Sequence, residues 1–137
     1  MINILVLCTG NSCRSQMAEG FLREYFGHRA SIYSAGIEAH GVNPKAIETM
    51  KEVCIDITSH QSNTLDELPK ISFNYVITVC DNAKEKCPYF PASTAILHRN
   101  FPDPAKATGS EKDIEIAFRE SRQLIDDYCL ELSNNLS

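Results

Sequence analysis

Short unbroken apolar runs alternate along the chain with stretches whose apolar positions recur every three or four residues. The first pattern reads as buried strands and the second as amphipathic helices. Ile4-Leu5-Val6-Leu7 is apolar without alternation, as expected of a strand covered on both faces. After a polar loop at 8–14, the spacing predicts a helix capped by Ser15. Its apolar stripe is Met17, Ala18, Phe21, Leu22, Tyr25 and Phe26, and Gly27 is its stop. A short strand follows near 31–35, closed by Gly36. Asn43-Pro44 offers a cap and a first-turn proline for a second helix, with Ala46, Ile47, Met50 and Val53 marking its buried side. Residues 75–79 read as a third strand, and 94–97, between Pro-containing loops, as a fourth. A last helix is predicted over Glu111–Leu132, with Ile114, Phe118, Ile125, Cys129 and Leu132 facing inward.

Strands alternating with helices argue for parallel βα units and an α/β fold. One consequence bears on function. Cys8 follows the first strand, Cys80 the third, and Asp103 the fourth. If the strands are parallel, all three emerge at one carboxyl edge of the sheet, where open α/β sheets bind their ligands.

Composition narrows the function classes. The 137 residues fit one domain spanning 1–137, with enough chain to bury a core unaided. A formal net charge of −5 gives no basic footprint for nucleic acid or for an anionic membrane surface. No apolar segment approaches the roughly 20 residues that span a bilayer. Met1 leads straight into an apolar run with no basic stretch before it, so a soluble, cytoplasmic protein is expected. In a reducing compartment, the six cysteines at 8, 13, 54, 80, 87 and 129 read as catalytic, redox or metal-binding rather than as a disulfide framework. Cys54 and Cys129, on or beside apolar helix faces, are expected to be small buried hydrophobes.

The loop Cys8-Thr9-Gly10-Asn11-Ser12-Cys13-Arg14-Ser15 carries the most chemistry. A cysteine six positions before an arginine is weak as bare spacing, but here a strand leads in and a helix leads out. The backbone N–H groups of Thr9, Gly10, Asn11, Ser12, Cys13 and Arg14 can then converge on an anion at a helix N-terminus. Gly10 permits a tight turn, and Arg14 offers a planar fork of donors matched to a tetrahedral oxyanion. A thiol in such a site is expected to have a lowered pKa, which makes Cys8 a resting thiolate nucleophile. Ser15 is positioned to donate to that sulfur as well as to cap the helix. Cys13 fills a loop position where its backbone counts for more than its thiol.

The stretch Cys8 to Gly20, CTGNSCRSQMAEG, resembles the signature loop of the low-molecular-weight protein tyrosine phosphatase superfamily. More narrowly, it resembles the thioredoxin-coupled arsenate reductases of that fold. The likeness extends to Tyr33-Ser34-Ala35-Gly36-Ile37-Glu38, Asn43-Pro44, Ile55-Asp56-Ile57, the Cys80 region and Asp103-Pro104-Ala105. It implies a single flavodoxin-like domain, a four-stranded parallel sheet with helices on both faces. The implied substrate is arsenate, with phosphate or sulfate as competing anions, and thioredoxin is the implied reductant.

The same loop serves phosphoester hydrolysis and arsenate reduction, so the other thiols must discriminate. Cys80 and Cys87 have six residues between them just past the third strand. A phosphatase needs neither, whereas a reductase needs two electrons. The two could also be a core thiol and a chance surface thiol. As a zinc pair their spacing is loose and no His cluster accompanies them. The resemblance implies a relay in which Cys8 attacks arsenate and Asp103 protonates the leaving oxygen. Cys80 then attacks Cys8, and Cys87 carries the disulfide outward. Residues 81–86 read helical, which would hold Cys80 and Cys87 nearly two turns apart, so that segment is expected to unwind when they join. No tightly bound cofactor is expected. The resemblance implies potassium beside the loop through Asn11, Glu19 and Ser34, although relatives often carry an acidic ligand where this chain has Asn63. Phe101-Pro102-Asp103-Pro104 likewise has proline where relatives often have another aspartate. His40, His60 and His98 show no pairing with Cys8 and receive no role. A phosphatase and a non-catalytic oxyanion-binding or redox-sensing module remain the alternatives to the reductase.

Overall fold

The computed structural model describes residues 2–136. Seven-residue β1 (Ile2–Cys8) leads through the polar loop into α1 (Arg14–Phe26), followed by β2 (Ala30–Gly36) and α2 (Pro44–Lys51). A long irregular connection with one 3-10 turn at Leu65–Glu67 reaches β3 (Tyr75–Thr78). Then come α3 (Asp81–Glu85), β4 (Ala95–His98) and α4 (Glu111–Asn135). The four strands form one sheet in the order β2-β1-β3-β4, parallel at every pairing. This is the flavodoxin-like order, whose chain reversal between β1 and β3 opens a crevice at the carboxyl edge.

The unbroken apolar run has its structural reason here. Ile4, Leu5, Val6 and Leu7 are fully buried in the central strand β1. Side chains alternate between faces along a strand. Ile32 and Ser34 therefore face α1, whose Glu19 and Arg23 bond Ser34 and the Ile32 carbonyl. Tyr33 faces the other way and packs edge-on against Phe73, ring centroids 5.7 Å apart. α4 lies against α1, with the buried Cys129 thiol pointing at the Ala18 carbonyl. It ties to α2 through Arg119 and Arg122, which grip Glu52. Ser110 opens α4 with a reciprocal capping box to Asp113, and Asn43 caps α2 as the sequence indicated. No helix among the described residues is long and apolar enough to cross a membrane.

Three local expectations are corrected. Ser15 does not cap α1: the helix starts two residues earlier, at Arg14, Cys13 is the boundary, and the Ser15 hydroxyl turns back to Asn11. Val53 lies past the end of α2 and is exposed. Cys54 is exposed as well, at φ 63, because α2 ends at Lys51 and the chain turns through a left-handed residue before burying Ile57.

Candidate active site

The loop after β1 is shaped from outside. Every carbonyl from residue 8 to residue 13 has a partner. Cys8, Thr9 and Gly10 accept from the backbone N–H of Ile37, Glu38 and His40, at 3.1, 2.8 and 3.0 Å. Ser12 accepts from Asn43 N–H and Cys13 from Met17 N–H, at 2.9 and 3.0 Å, and Asn11 accepts from the Gln16 amide at 3.1 Å. In a trans peptide the following N–H points opposite to the carbonyl. The N–H groups that follow these carbonyls are therefore turned the other way, and residues 8–10 and 12–14 line the cavity while Asn11 is buried behind it. The result is the anion cradle that the sequence suggested, and α1 begins at its rim.

Asn11 is the keystone of the loop. It is fully buried at φ 46, a left-handed conformation that Asn tolerates. Its Oδ1 accepts from Ser15 Oγ at 2.8 Å and from Gln16 Nε2 at 3.1 Å. Its Nδ2 donates to the carbonyls of Ser34 at 3.4 Å and Asn63 at 3.3 Å. The Ser15 hydroxyl therefore orients Asn11 rather than the Cys8 sulfur. Gly36 permits the close approach of the second segment: a Cβ there would lie 2.2 Å from the Glu38 carbonyl oxygen and 2.7 Å from that of Thr9.

The cavity at this edge, about 290 Å³, is lined by Cys8, Thr9, Gly10, Ser12, Cys13, Arg14, His40, Asp103, Ala105 and Lys106. Arg14 donates to the Phe101 carbonyl at 2.9 Å, and its second nitrogen lies 3.5 Å from the Asp103 carboxylate. Asp103 also accepts from Ala105 N–H, so its turn role and its place at the cavity mouth coexist. The three residues that the strand order was expected to gather are thus together.

Cys8 and Cys80 are both buried, with sulfurs 3.6 Å apart. The Cys80 thiol is held down to about 5, chiefly by the hydrogen bond from the Cys8 S–H. Thr9, the Ala83 N–H at the head of α3 and the Arg14 charge add to this. Thr9 Oγ1 accepts from Asn82 Nδ2 at 3.0 Å, which leaves its own hydrogen for Cys80 Sγ at 3.3 Å. The Cys8 thiol is pushed up, first by donating to Cys80 and then by burial, with Arg14 opposing. The two thiols are thus coupled through one shared hydrogen bond, and the Arg14 charge favours a thiolate on either sulfur. Burial and the Asp103 charge push Cys13 up to about 12, in keeping with an inert thiol. Cys87 is half-buried, two residues past α3, and desolvation raises its thiol.

The residues expected to hold potassium also lie together, but they are occupied by one another. Glu19 is buried, accepts from Ser34 Oγ at 2.5 Å and from Arg23 Nε at 2.8 Å, and lies 3.6 Å from His60 Nε2. The Ser34 and Asn63 carbonyls already accept from Asn11, and the Asn63 side chain turns to the Gln61 carbonyl. No buried side-chain nitrogen or oxygen among the described residues lacks a hydrogen-bond partner. Glu19 is thus paired with Arg23 and Ser34, and the Ser34 and Asn63 carbonyls each receive one long bond from Asn11.

The sequence reading missed several contributors. Gln16 lies off the apolar stripe of α1 yet is fully buried, bonding Asn11, the Gln61 carbonyl and His60. His40 lines the cavity beside Cys8, and His98 bridges Thr78 to Asp81 at the head of α3.

The family described as low molecular weight phosphotyrosine protein phosphatase matches residues 3–137. The chain belongs to this family. Within it, the chain is 48% identical over 124 residues to a protein of Oceanobacillus iheyensis named arsenate reductase, covering 90% of this chain and 89% of that one. A protein of the same name from Bacillus subtilis is 47% identical over 122 residues, covering 89% and 88%. Among solved structures, "An arsenate reductase in oxidized state" superposes with a TM-score of 0.86 at 26% identity, covering 100% of both chains. For this family member, the cradle, Arg14 and Asp103 thus accompany a second buried thiol in contact with Cys8.

Proposed function

We propose that this chain reduces arsenate to arsenite through Cys8, Cys80 and Cys87, recharged by a dithiol reductant of the thioredoxin type. The observation that carries the reading is the 3.6 Å contact between the sulfur of Cys8, which lines the cavity, and that of buried Cys80. Hydrolysis of a phosphoester has no use for a second thiol there, whereas a two-electron reduction requires one. The relatives named arsenate reductase support the same reading.

The chemistry begins with the shared proton. An oxyanion in the cradle, with Arg14, favours charge on Cys8, and the proton passes along the S–H contact to Cys80. The Cys8 thiolate attacks arsenic, Asp103 gives a proton to the departing oxygen, water leaves, and a Cys8–arsenate adduct remains. Cys80, deprotonated again, attacks Cys8 Sγ. The S–S bond forms, the S–As electron pair stays on arsenic, and arsenite departs as As(III). A disulfide needs the sulfurs at about 2.05 Å, so they close by roughly 1.5 Å at this step. Cys87 then attacks Cys80, Cys8 leaves as a thiolate, and the Cys80–Cys87 disulfide is what a thioredoxin at about −270 mV reduces.

The last transfer requires α3 to unwind. Seven residues at about 1.5 Å rise put Cys80 and Cys87 roughly 10 Å apart, beyond the ~7 Å Cα limit for a disulfide. α3 has five residues, only Ala83 buried, and few backbone bonds, among them Lys84 N–H to Cys80 and Lys86 N–H to Asn82. Little packing opposes its unwinding. Thiols that must be reduced between turnovers fit a reducing setting such as the cytoplasm. The internally paired Glu19 cluster supports a cycle that does not depend on potassium.

The reading is tested by arsenite production from arsenate with thioredoxin, thioredoxin reductase and NADPH. Sustained arsenite release supports it. Absence of arsenite alongside brisk hydrolysis of phenyl phosphate would leave a phosphatase instead.

A further inference from the structure

The cavity mouth carries a side chain that the chemistry above does not use. His40 N–H is bonded to the Gly10 carbonyl, and its ring lies on Gly10 so closely that a Cβ on that glycine would stand 2.5 Å from His40 Nδ1. Its Nε2 meets Glu38 Oε2 at 2.7 Å, and Glu38 is itself fastened by its N–H to the Thr9 carbonyl. Half of the His40 side chain remains exposed, so it forms rim rather than core. Asp103, Ala105 and Lys106 line the same cavity, and among the described residues no Phe, Tyr or Trp lines it.

We propose that His40, seated on Gly10 and braced by Glu38, is the wall that sets specificity at this pocket, admitting a bare inorganic oxyanion and excluding the organic group of a phosphoester. This deepens the proposed function and rests on it for the identity of the natural substrate, but the wall itself is a property of the pocket. A tetrahedral inorganic ion needs only the cradle and Arg14. An ester carries a fourth substituent that must leave through the mouth, and there it meets an imidazole that Glu38 and Gly10 hold in place. Without aromatic surface on the rim, an aryl group gains no stacking that would offset displacing the ring.

Binding rather than turnover tests this, so that failure of the reductase reading is separable: arsenite production reports that reading, and calorimetric affinities report the wall. The probes are inorganic phosphate and phenylphosphonate, titrated into the wild type, His40→Ala and His40→Gln. The wild type is expected to prefer phosphate. His40→Ala should leave phosphate affinity unchanged, because the cradle and Arg14 hold that ion. It should strengthen phenylphosphonate by about tenfold, as removal of a steric block does. His40→Gln, which keeps bulk and a donor to Glu38, should restore the wild-type preference. Parallel changes for the two ligands, an unchanged ratio in His40→Ala, or a wild type that binds neither would overturn the proposal.

Discussion

Replacing Asn11 by alanine should damage stability and anion binding together, because one side chain holds the loop to three parts of the fold. The substitution removes two good hydrogen bonds, from Ser15 at 2.8 Å and Gln16 at 3.1 Å, and two long ones, to the Ser34 and Asn63 carbonyls at 3.4 and 3.3 Å. At about 1 kcal/mol net for a good bond and about half that for a long one, the loss is about 3 kcal/mol. Alanine at φ 46 adds about 1 kcal/mol of backbone cost that asparagine largely avoids. The sum, about 4 kcal/mol, is a large share of the 5–15 kcal/mol typical of a domain. Urea unfolding measures it directly, and phosphate titration reports whether the cradle survives. Asn11→Gly should recover about 1 kcal/mol over Asn11→Ala, since glycine accepts positive φ without strain. A loss below about 1 kcal/mol in Asn11→Ala with unchanged phosphate affinity would refute the role given to this residue.

Gly36→Ala should also loosen the cradle, since its Cβ would lie 2.2 Å from the Glu38 carbonyl oxygen and 2.8 Å from Asn11 N. Phosphate affinity is expected to drop, with about 1–3 kcal/mol of destabilisation by overpacking, both read by calorimetry and thermal melts. The Cys8–Cys80 pair gives stability a pH signature. The folded Cys80 value, near 5, lies below the unfolded thiol's ~8.5, so its contribution is full above about pH 8.5 and is lost as pH falls towards 5. Cys8 is raised, so its contribution is full below about 8.5 and is lost as pH rises. The wild type minus Cys80→Ser difference in unfolding free energy should therefore peak near pH 8.5. A difference flat from pH 5 to 9 would contradict the coupling of the two thiols. Exchanging sodium for potassium chloride at constant ionic strength should leave the melting temperature unchanged, because Glu19 is already paired with Arg23, Ser34 and His60. A specific rise with potassium would show that the cluster opens to a cation.

Much of this site was legible in the chain because parallel βα units convert strand order into proximity. Cys8, Cys80 and Asp103 could be placed at one edge from periodicity alone. Asn43-Pro44 and Gly27 marked helix limits through local chemistry that tertiary packing did not override. Interactions that depend on long-range packing stayed out of reach. The Ser15 hydroxyl could have capped α1, but the buried Asn11 amide offered a partner that no local pattern reveals. Cys54 looked like core because its helix was extended three residues too far. The coupling of Cys8 to Cys80 follows from a 3.6 Å contact between residues 72 positions apart, together with Thr9 and the first turn of α3.

The central claim is that two electrons reach arsenate from Cys8 and Cys80 and are then drawn from Cys87. It is tested most directly by a single turnover: reduced protein mixed with one equivalent of arsenate and no reductant, followed by peptide mapping of disulfides. The account predicts one equivalent of arsenite, a Cys80–Cys87 disulfide in the wild type, and a trapped Cys8–Cys80 disulfide in Cys87→Ser. Six free thiols after exposure to arsenate, or arsenite release with Cys80 still reduced, would contradict it.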